Sequence, residues 1–506
     1  MKKAELTPDL AVGRAALRAA VAFDLEQQVE LEDVSFDVTG ELIDFSSETL
    51  VRNRQISAGS LELRADGDGI AISGRGRLGK VPATVTWSQA FGPENKGRSR
   101  AEGSIELSHA FLDEFGIKLP PGSVSGSGVA QFEVALVRGE APAFSIPSDL
   151  NRLGLRLAAI NWSKPPNQTG SLEVEGRLGT TPAIDLLALD APGLTASGVV
   201  DLTETGAMAT AQFDRVRVGG WLDGPVTLIG RGPDLSPAVR MSGGRIDLRQ
   251  AAFGSGGGGG GGPIELALDR LVVSEGITFT DFSGRFDSAG GLDGQFSARI
   301  NGRTPVAGTV VPTPTGAAVR LIADDAGGAM ASAGVLQNAR GGRMDLTLNP
   351  TGVEGVYDGR LRVTRTRIVQ APALTEIISA ISIVGLLDQM NSGGISLSEV
   401  DAEFQLTPRR LTLYRSSAVG PSLGISLDGI YDLASKQMDM QGVVSPVYFL
   451  NGIGQVFSRR GEGLFGFAFR LRGAAGDPDV SVNPLSILPP GMFREIFRRA
   501  PPQPGQ

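Results

Sequence analysis

The sequence has no cysteine, a single histidine, and only 3 Trp and 4 Tyr in 506 residues. Without cysteine there are no disulfides, zinc–thiolate sites or iron–sulfur clusters, although the compartment stays open. His109 would have to serve any Ser-His-Asp triad, yet it lies in Leu107-Ser108-His109-Ala110-Phe111 with no nucleophile elbow nearby. A surface or capping histidine is the simpler reading. No HExxH, EF-hand or P-loop pattern occurs. So few Trp and Tyr argue against a transmembrane barrel, which carries aromatic girdles at both interfaces. No window reaches the roughly 18 apolar residues of a spanning helix. The nearest, 377–387, is bounded by Glu376 and Asp388. Glu5, Pro8 and Asp9 interrupt the start, unlike a signal peptide. As written, the chain is expected to be soluble, working where it is made or lacking an upstream anchor. The net charge of −8 disfavours nucleic acid as main partner, because phosphate binding needs a basic face.

What is present is strand grammar. Apolar content of 41% supports a real core, and 70 glycines punctuate the chain. Residues 4–24 have helix-like apolar spacing at Leu10, Ala11, Ala15, Leu17 and Val21. From Val29 onward the period is two: Val34/Phe36/Val38, Leu61/Leu63, Ile70/Ile72, Leu172/Val174, Ile184/Leu186, Leu266/Leu268 and Leu346/Leu348. About thirty strand candidates can be counted on this basis. A short helix is expected over 108–115, with Ser108 as N-cap and Gly116 as stop. The segment Gly76-Arg77-Leu78-Gly79-Lys80-Val81-Pro82-Ala83 recurs as Gly176-Arg177-Leu178-Gly179-Thr180-Thr181-Pro182-Ala183, with a weaker echo from Gly302 to Ala307. Each copy looks like a strand, a tight turn and a further strand.

The run 254–262 is a Gly-rich loop, followed by a strand rather than the helix and Lys-Ser/Thr of a phosphate cradle. It divides the chain into 1–253, an N-terminal helix with a repetitive β segment, and 263–506, a β region with capping helices. In the second part, 372–390 is expected to be an apolar helix docked on a sheet as a lid. Ile395/Leu397, Phe404/Leu406, Leu411/Leu413, Ile425/Leu427 and Phe467/Phe469/Leu471 alternate after it. Arg360, Arg362, Arg365 and Arg367 fit a solvated outer face, or a stripe for anionic head groups. Glu173 and Glu175 occupy polar strand positions, so a carboxylate pair for hydrolysis is disfavoured and no enzyme is expected. In a last helix over 490–499, Met492, Phe493, Ile496 and Phe497 share a face that suits an anionic membrane surface or a plug on the sheet end.

The expected fold is mainly β: an elongated, curled antiparallel sheet with a long apolar groove and a few short helices. Strands at about 4.8 Å spacing would extend to about 140 Å if all joined one sheet. Such a trough suits acyl chains, at about 0.8 kcal/mol per methylene removed from water. Candidate groove residues are Leu172, Val174, Leu266, Leu268, Leu346, Leu348, Ile425, Leu427, Phe467 and Phe469. No cofactor or metal is expected.

Residues 340–485 resemble the C-terminal region of AsmA-like proteins, in particular the YhdP-type branch. The resemblance rests on an ordered series: Leu361-Arg362-Val363, Pro372-Ala373-Leu374 and the apolar helix, then Gly394-Ile395-Ser396-Leu397 and Val400-Asp401-Ala402-Glu403-Phe404. Leu411-Thr412-Leu413-Tyr414, the 422–433 strand pair with Gly429, Met438-Asp439-Met440, Phe469-Arg470-Leu471-Arg472-Gly473 and Gly476-Asp477-Pro478-Asp479-Val480 complete it. The resemblance implies a periplasmic, inner-membrane-anchored β-groove protein that bridges phospholipids toward the outer envelope, akin to chorein-type bridges. It implies phospholipid acyl chains as cargo, an anchor in a missing segment or a separate subunit, and an outer-membrane partner. Two features differ from the family pattern: the N-terminal anchor is absent, and Val443-Val444-Ser445-Pro446-Val447-Tyr448-Phe449-Leu450 replaces an apolar segment before the final strand. A scaffold role in outer-membrane protein assembly, acting through exposed sheet edges, is the competing expectation.

Overall fold

The computed structural model describes residues 10–23, 34–51, 54–179, 181–232, 235–251, 261–381, 389, 393–446, 466–474, 477–487 and 501–502. The protein is mainly β, with 65% strand, a curled and mostly antiparallel sheet, and three short helices. It divides into two compact units: 1–244 with 250–259, and 245–249 with 260–506. The expected Gly-rich loop falls largely outside the described residues, as does the whole 490–499 helix with Met492, Phe493, Ile496 and Phe497.

In the first unit each strand pairs antiparallel with the next, from Val12–Phe23 to Ala238–Ser242. One detour interrupts the order. Ala143–Ser148 pairs directly with Ser171–Arg177, while Leu153–Leu157 pairs with Val124–Gly126 and Trp162–Lys164 in a separate small sheet. The Lys164 side chain ties that small sheet down. Its Nζ donates to the carbonyls of Leu150 (2.8 Å) and Leu153 (2.7 Å) in a buried site. Burial pushes the Lys164 pKa down, opposed by the nearby Asp149 carboxylate.

The expected helix over 4–24 is wrong: Val12–Phe23 is a strand. Its alanines favour a helix locally, but Ala15, Leu17, Ala19, Val21 and Phe23 also alternate, and pairing with Val34–Val51 selects that period. The short helix at 109–115 forms as expected (α1, His109–Phe115). Gly116 ends it at φ 66°, its N–H donating to the Asp113 and Leu112 carbonyls. Ser108 sits at the N-cap without a capping side-chain bond. The Gly76 and Gly302 repeats each turn one strand into its antiparallel neighbour, with Gly79 at φ 55° and Gly302 at φ 72°.

In the second unit Arg245–Asp247 runs parallel to Pro263–Val272, and antiparallel pairing then continues to Asp477–Asn483. Helix α2 (Ala326–Ser332) is capped by the Asp325 side chain, which accepts from the Gly328 N–H at 2.9 Å. Helix α3 (Pro372–Ala380) covers only the first half of the expected 372–390 helix; 382–388 and Met390 lie outside the described residues. Leu374, Ile377, Ile378 and Ile381 share one face of α3, at helical spacing. That face packs on Ile395, Leu397, Leu423, Val444 and Phe469, as a sheet-docked cap should.

A buried carboxylate pins the parallel strand. Asp247 is fully buried, and its oxygens accept from Arg249 Nε (2.9 Å) and from terminal nitrogens of Arg249 and Arg245 (2.7 Å each). Hydrogen bonds from Arg249 lead in lowering its pKa from 3.8 to about 2, with Arg245 adding to them against the opposing cost of burial. A depressed carboxylate stabilises the fold above its unfolded pKa and loses that contribution as pH falls through the folded value. We expect Asp247→Asn to cost about 2 kcal/mol near neutral pH. Denaturant titrations should show the gap between wild type and variant intact at pH 5 and closing as pH falls from about 4 toward 2.

Candidate functional site: the apolar face of each ladder

The register of the first unit places one residue from every ladder strand in a single cross-strand row. The row runs Leu17, Gly40, Leu63, Ile72, Trp87, Ala101, Val134, Phe144, Gly176, Ile184, Val200, Ala211, Leu228 and Val239. No member is polar. A second row beside it carries Leu61, Gly74, Val85, Gly103 and Phe132. Further along that face Ile146, Val174, Leu187, Gly198, Phe213 and Val226 continue across the strands. Leu172 pairs with Leu189 on the same face.

The alternate positions are charged. Arg100 bridges Glu102 (3.0 Å) and Glu133 (2.8 Å), Arg177 grips Asp185 with two bonds, and Arg215 does the same to Asp223. Solvent screens these exposed pairs, so they mark a solvated face more than a source of stability. Two open concavities, about 640 and 890 Å³, lie on this polar face among Ser171, Asp190, Thr195, Arg215 and Arg217. Leu172 and Leu189 also contribute to the lining of the larger one.

Covering differs along the first unit's apolar face. At one end Leu150 and Leu153, with Phe111 and Phe115 from α1, close over Val81, Ile105, Leu107 and Ala130. Elsewhere Ile72, Trp87, Val134, Phe144, Val174 and Ile184 are only half-buried. Part of their apolar area therefore stays accessible.

The second unit repeats the device. Leu266, Gly284, Phe296, Gly308, Leu321, Leu346, Leu361, Ala402, Ser416, Leu427, Gly442, Phe469 and Val482 form one row, broken by a single serine. Leu348 belongs to the next row with Phe404, Leu413 and Met440. Ile425 and Phe467 belong to a third, with Met344, Val363, Val400, Ala418 and Val444. Leu268 is buried opposite Phe282.

The groove residues expected in each unit therefore share one face of that unit. This face is more filled than in the first unit. Phe279, Phe282, Phe286 and Phe296 are all buried, with centroids 5.2–6.4 Å apart, and α3 fills the other end. Leu346, Leu348, Leu361 and Leu427 between them stay half-buried.

Sequence reasoning missed the glycines. A Cβ on Gly308 would strike the Phe296 ring, and one on Gly359 the Phe404 ring; in both cases the three nearest atoms all belong to the ring. A Cβ on Gly176 or Gly442 would meet a neighbouring strand carbonyl first and then the Phe144 or Phe469 ring. Each ring thus comes close over a glycine on the adjacent strand, where a side chain would collide with it. Glycine at an apolar position of an alternating strand is the signal that could have revealed this.

The expected arginine stripe is the solvated outer face. Arg360, Arg362, Arg365 and Arg367 are exposed, and Arg362 pairs with Asp401 at 3.1 Å. Arg365 takes φ 56°, and Val363 and Thr366, three apart, are both buried. His109 is exposed in the first turn of α1, its Nε2 3.8 Å from Asp113. Among the described residues, no three His, Cys, Asp or Glu side chains gather as a metal site, and no helix is long and apolar enough to cross a membrane. Comparison with known protein families and with curated proteins finds no match.

The glycine–ring fit predicts coupling. Gly308→Val should destabilise by about 1–3 kcal/mol through overpacking. In a Phe296→Leu background the same change should cost at least about 1 kcal/mol less, read by denaturant unfolding in a double-mutant cycle.

Proposed function

We propose that this protein carries phospholipids, holding their acyl chains against the apolar faces of its strand ladders, as a non-enzymatic lipid-transfer protein of the bacterial envelope. The observation that carries the reading is the unbroken apolar row of the first unit, most of whose members are half-buried, with the arginine–carboxylate pairs on the opposite face. An acyl chain laid on that face gains about 0.8 kcal/mol for each methylene it removes from water. Continuity across strands lets it shift from one strand to the next without meeting a charge. The AsmA-like, YhdP-type resemblance of 340–485 points the same way. It supplies the periplasmic, membrane-associated setting, the inner-membrane anchor and an outer-membrane partner as parts of this proposal.

A second reading is a scaffold that assists outer-membrane protein assembly. One observation favours it: Val12–Phe23 is exposed along its whole length at the end of a ladder.

Trp87 supplies the test, since it is half-buried in the apolar row while Trp162 and Trp221 are buried away from solvent. Phospholipid with brominated acyl chains should quench the fluorescence of the purified protein, and Trp87→Phe should remove most of the quenching. Native mass spectrometry should detect co-purified phospholipid. Leu346→Arg combined with Leu427→Arg, which puts two charges in one row, should lower bound lipid by about tenfold or more. Protein free of lipid, unquenched by the brominated acyl chains, and able to capture unfolded barrel precursors would favour the scaffold instead.

A further inference from the structure

The Val12–Phe23 strand ends the first unit's ladder, and among the described residues it pairs only with Val34–Val51. Every one of its residues is exposed, including Val12 (75%), Leu17 (53%), Val21 (59%) and Phe23 (53%). A long edge strand rich in apolar residues, with no proline and no inward-pointing charge, is a template for another strand. Its inner positions, Ala15, Leu17, Ala19 and Val21, continue the apolar face, while Arg14 and Arg18 point to the polar side. Arg14 is held there by Asp44 at 2.7 Å.

From this we infer that the edge joins a second copy of this chain, through an antiparallel two-fold pairing of Val12–Phe23 with itself centred on Leu17. Charge and length of overlap together select that register: axes through Ala15 or Ala19 also keep the arginines apart but pair at most nine of the twelve residues, against eleven for Leu17. A two-fold axis between residues would set Leu17 opposite Arg18 and place the apolar face of one copy beside the charged face of the other. An axis through Arg18 opposes that arginine to itself, and one through Ala16 opposes Arg18 to Arg14; like charges facing each other across strands are destabilising. The axis through Leu17 opposes Arg18 to Ala16, Arg14 to Ala20, and Ala15 to Ala19. It also makes the apolar row continuous, running Leu63, Gly40, Leu17 and then the same three residues of the second copy in reverse. The contact is isologous and closes at two copies. It holds whether or not the apolar face carries lipid.

The absence of cysteine makes the test clean, because Leu17→Cys introduces a single thiol. Light scattering on the full chain should give twice the chain mass, and Leu17→Arg should return it to one chain with an unchanged circular dichroism spectrum. Under mild oxidation Leu17→Cys should form a disulfide-linked dimer. Ala15→Cys alone should not, whereas an equal mixture of Ala15→Cys and Ala19→Cys should cross-link as a heterodimer. A single-chain mass at every concentration, with no cross-linking of Leu17→Cys, overturns the proposal. So does a dimer that cross-links through Ala15→Cys alone, which would mean another register. A single-chain mass with Val12–Phe23 amides protected from hydrogen exchange also overturns it, because the edge would then be covered from within the chain.

Discussion

Cross-strand register is the constraint on which the rest of this structure depends. Side chains alternate with a period of two, so a slip of one residue between any two strands would move the apolar set to the charged face. Each pairing must preserve parity, and where a strand breaks strict alternation a bulge restores it. Phe213 and Val216 are three apart, yet both lie on the apolar face because the register shifts between them. The same correction occurs between Leu413 and Ser416. These bulges let the rows persist across strands of different phase.

Given fixed rows, the height of the side chains decides how much space remains above the sheet. Glycines set that height. Where Phe296, Phe404, Phe469 and Phe144 lie over Gly308, Gly359, Gly442 and Gly176, large aromatic area is buried against backbone. The unit that uses α3 and the four clustered phenylalanines to cover its rows has those parts of its apolar face buried. The other unit, covered chiefly by α1 and the small sheet held by Lys164, leaves more of its apolar face open. The half-buried apolar stretch lies near Leu346 and Leu427 in the one, and around Trp87 and Val134 in the other.

Much of this was legible in the chain. Alternation located the strands, and the expected groove residues of each unit do fall on one face, because period two is a property of the extended backbone itself. The Gly76 and Gly302 motifs marked real turns, since a positive φ at Gly79 and Gly302 is open to glycine at little cost. The misses have physical causes. Residues 12–23 satisfy both a helical and a strand period, and only the neighbouring strand breaks the tie. Ile184 and Leu186 looked like partners on one face, but the register shift after Glu175 puts Ile184 and Leu187 there instead. Asp247 gave no local sign of burial, because its two arginine partners look like ordinary surface charges until the backbone folds them around it.

The sequence by itself determined that this is a β protein with one greasy and one charged side to its strands, since alternation and turn residues act within a few positions of each other. Tertiary structure alone decided which strands neighbour which, where bulges realign the faces, which stretches of apolar face are covered, and which edge is left open. Those depend on contacts between residues far apart in the chain, and local preference carries no information about a partner it has not yet met.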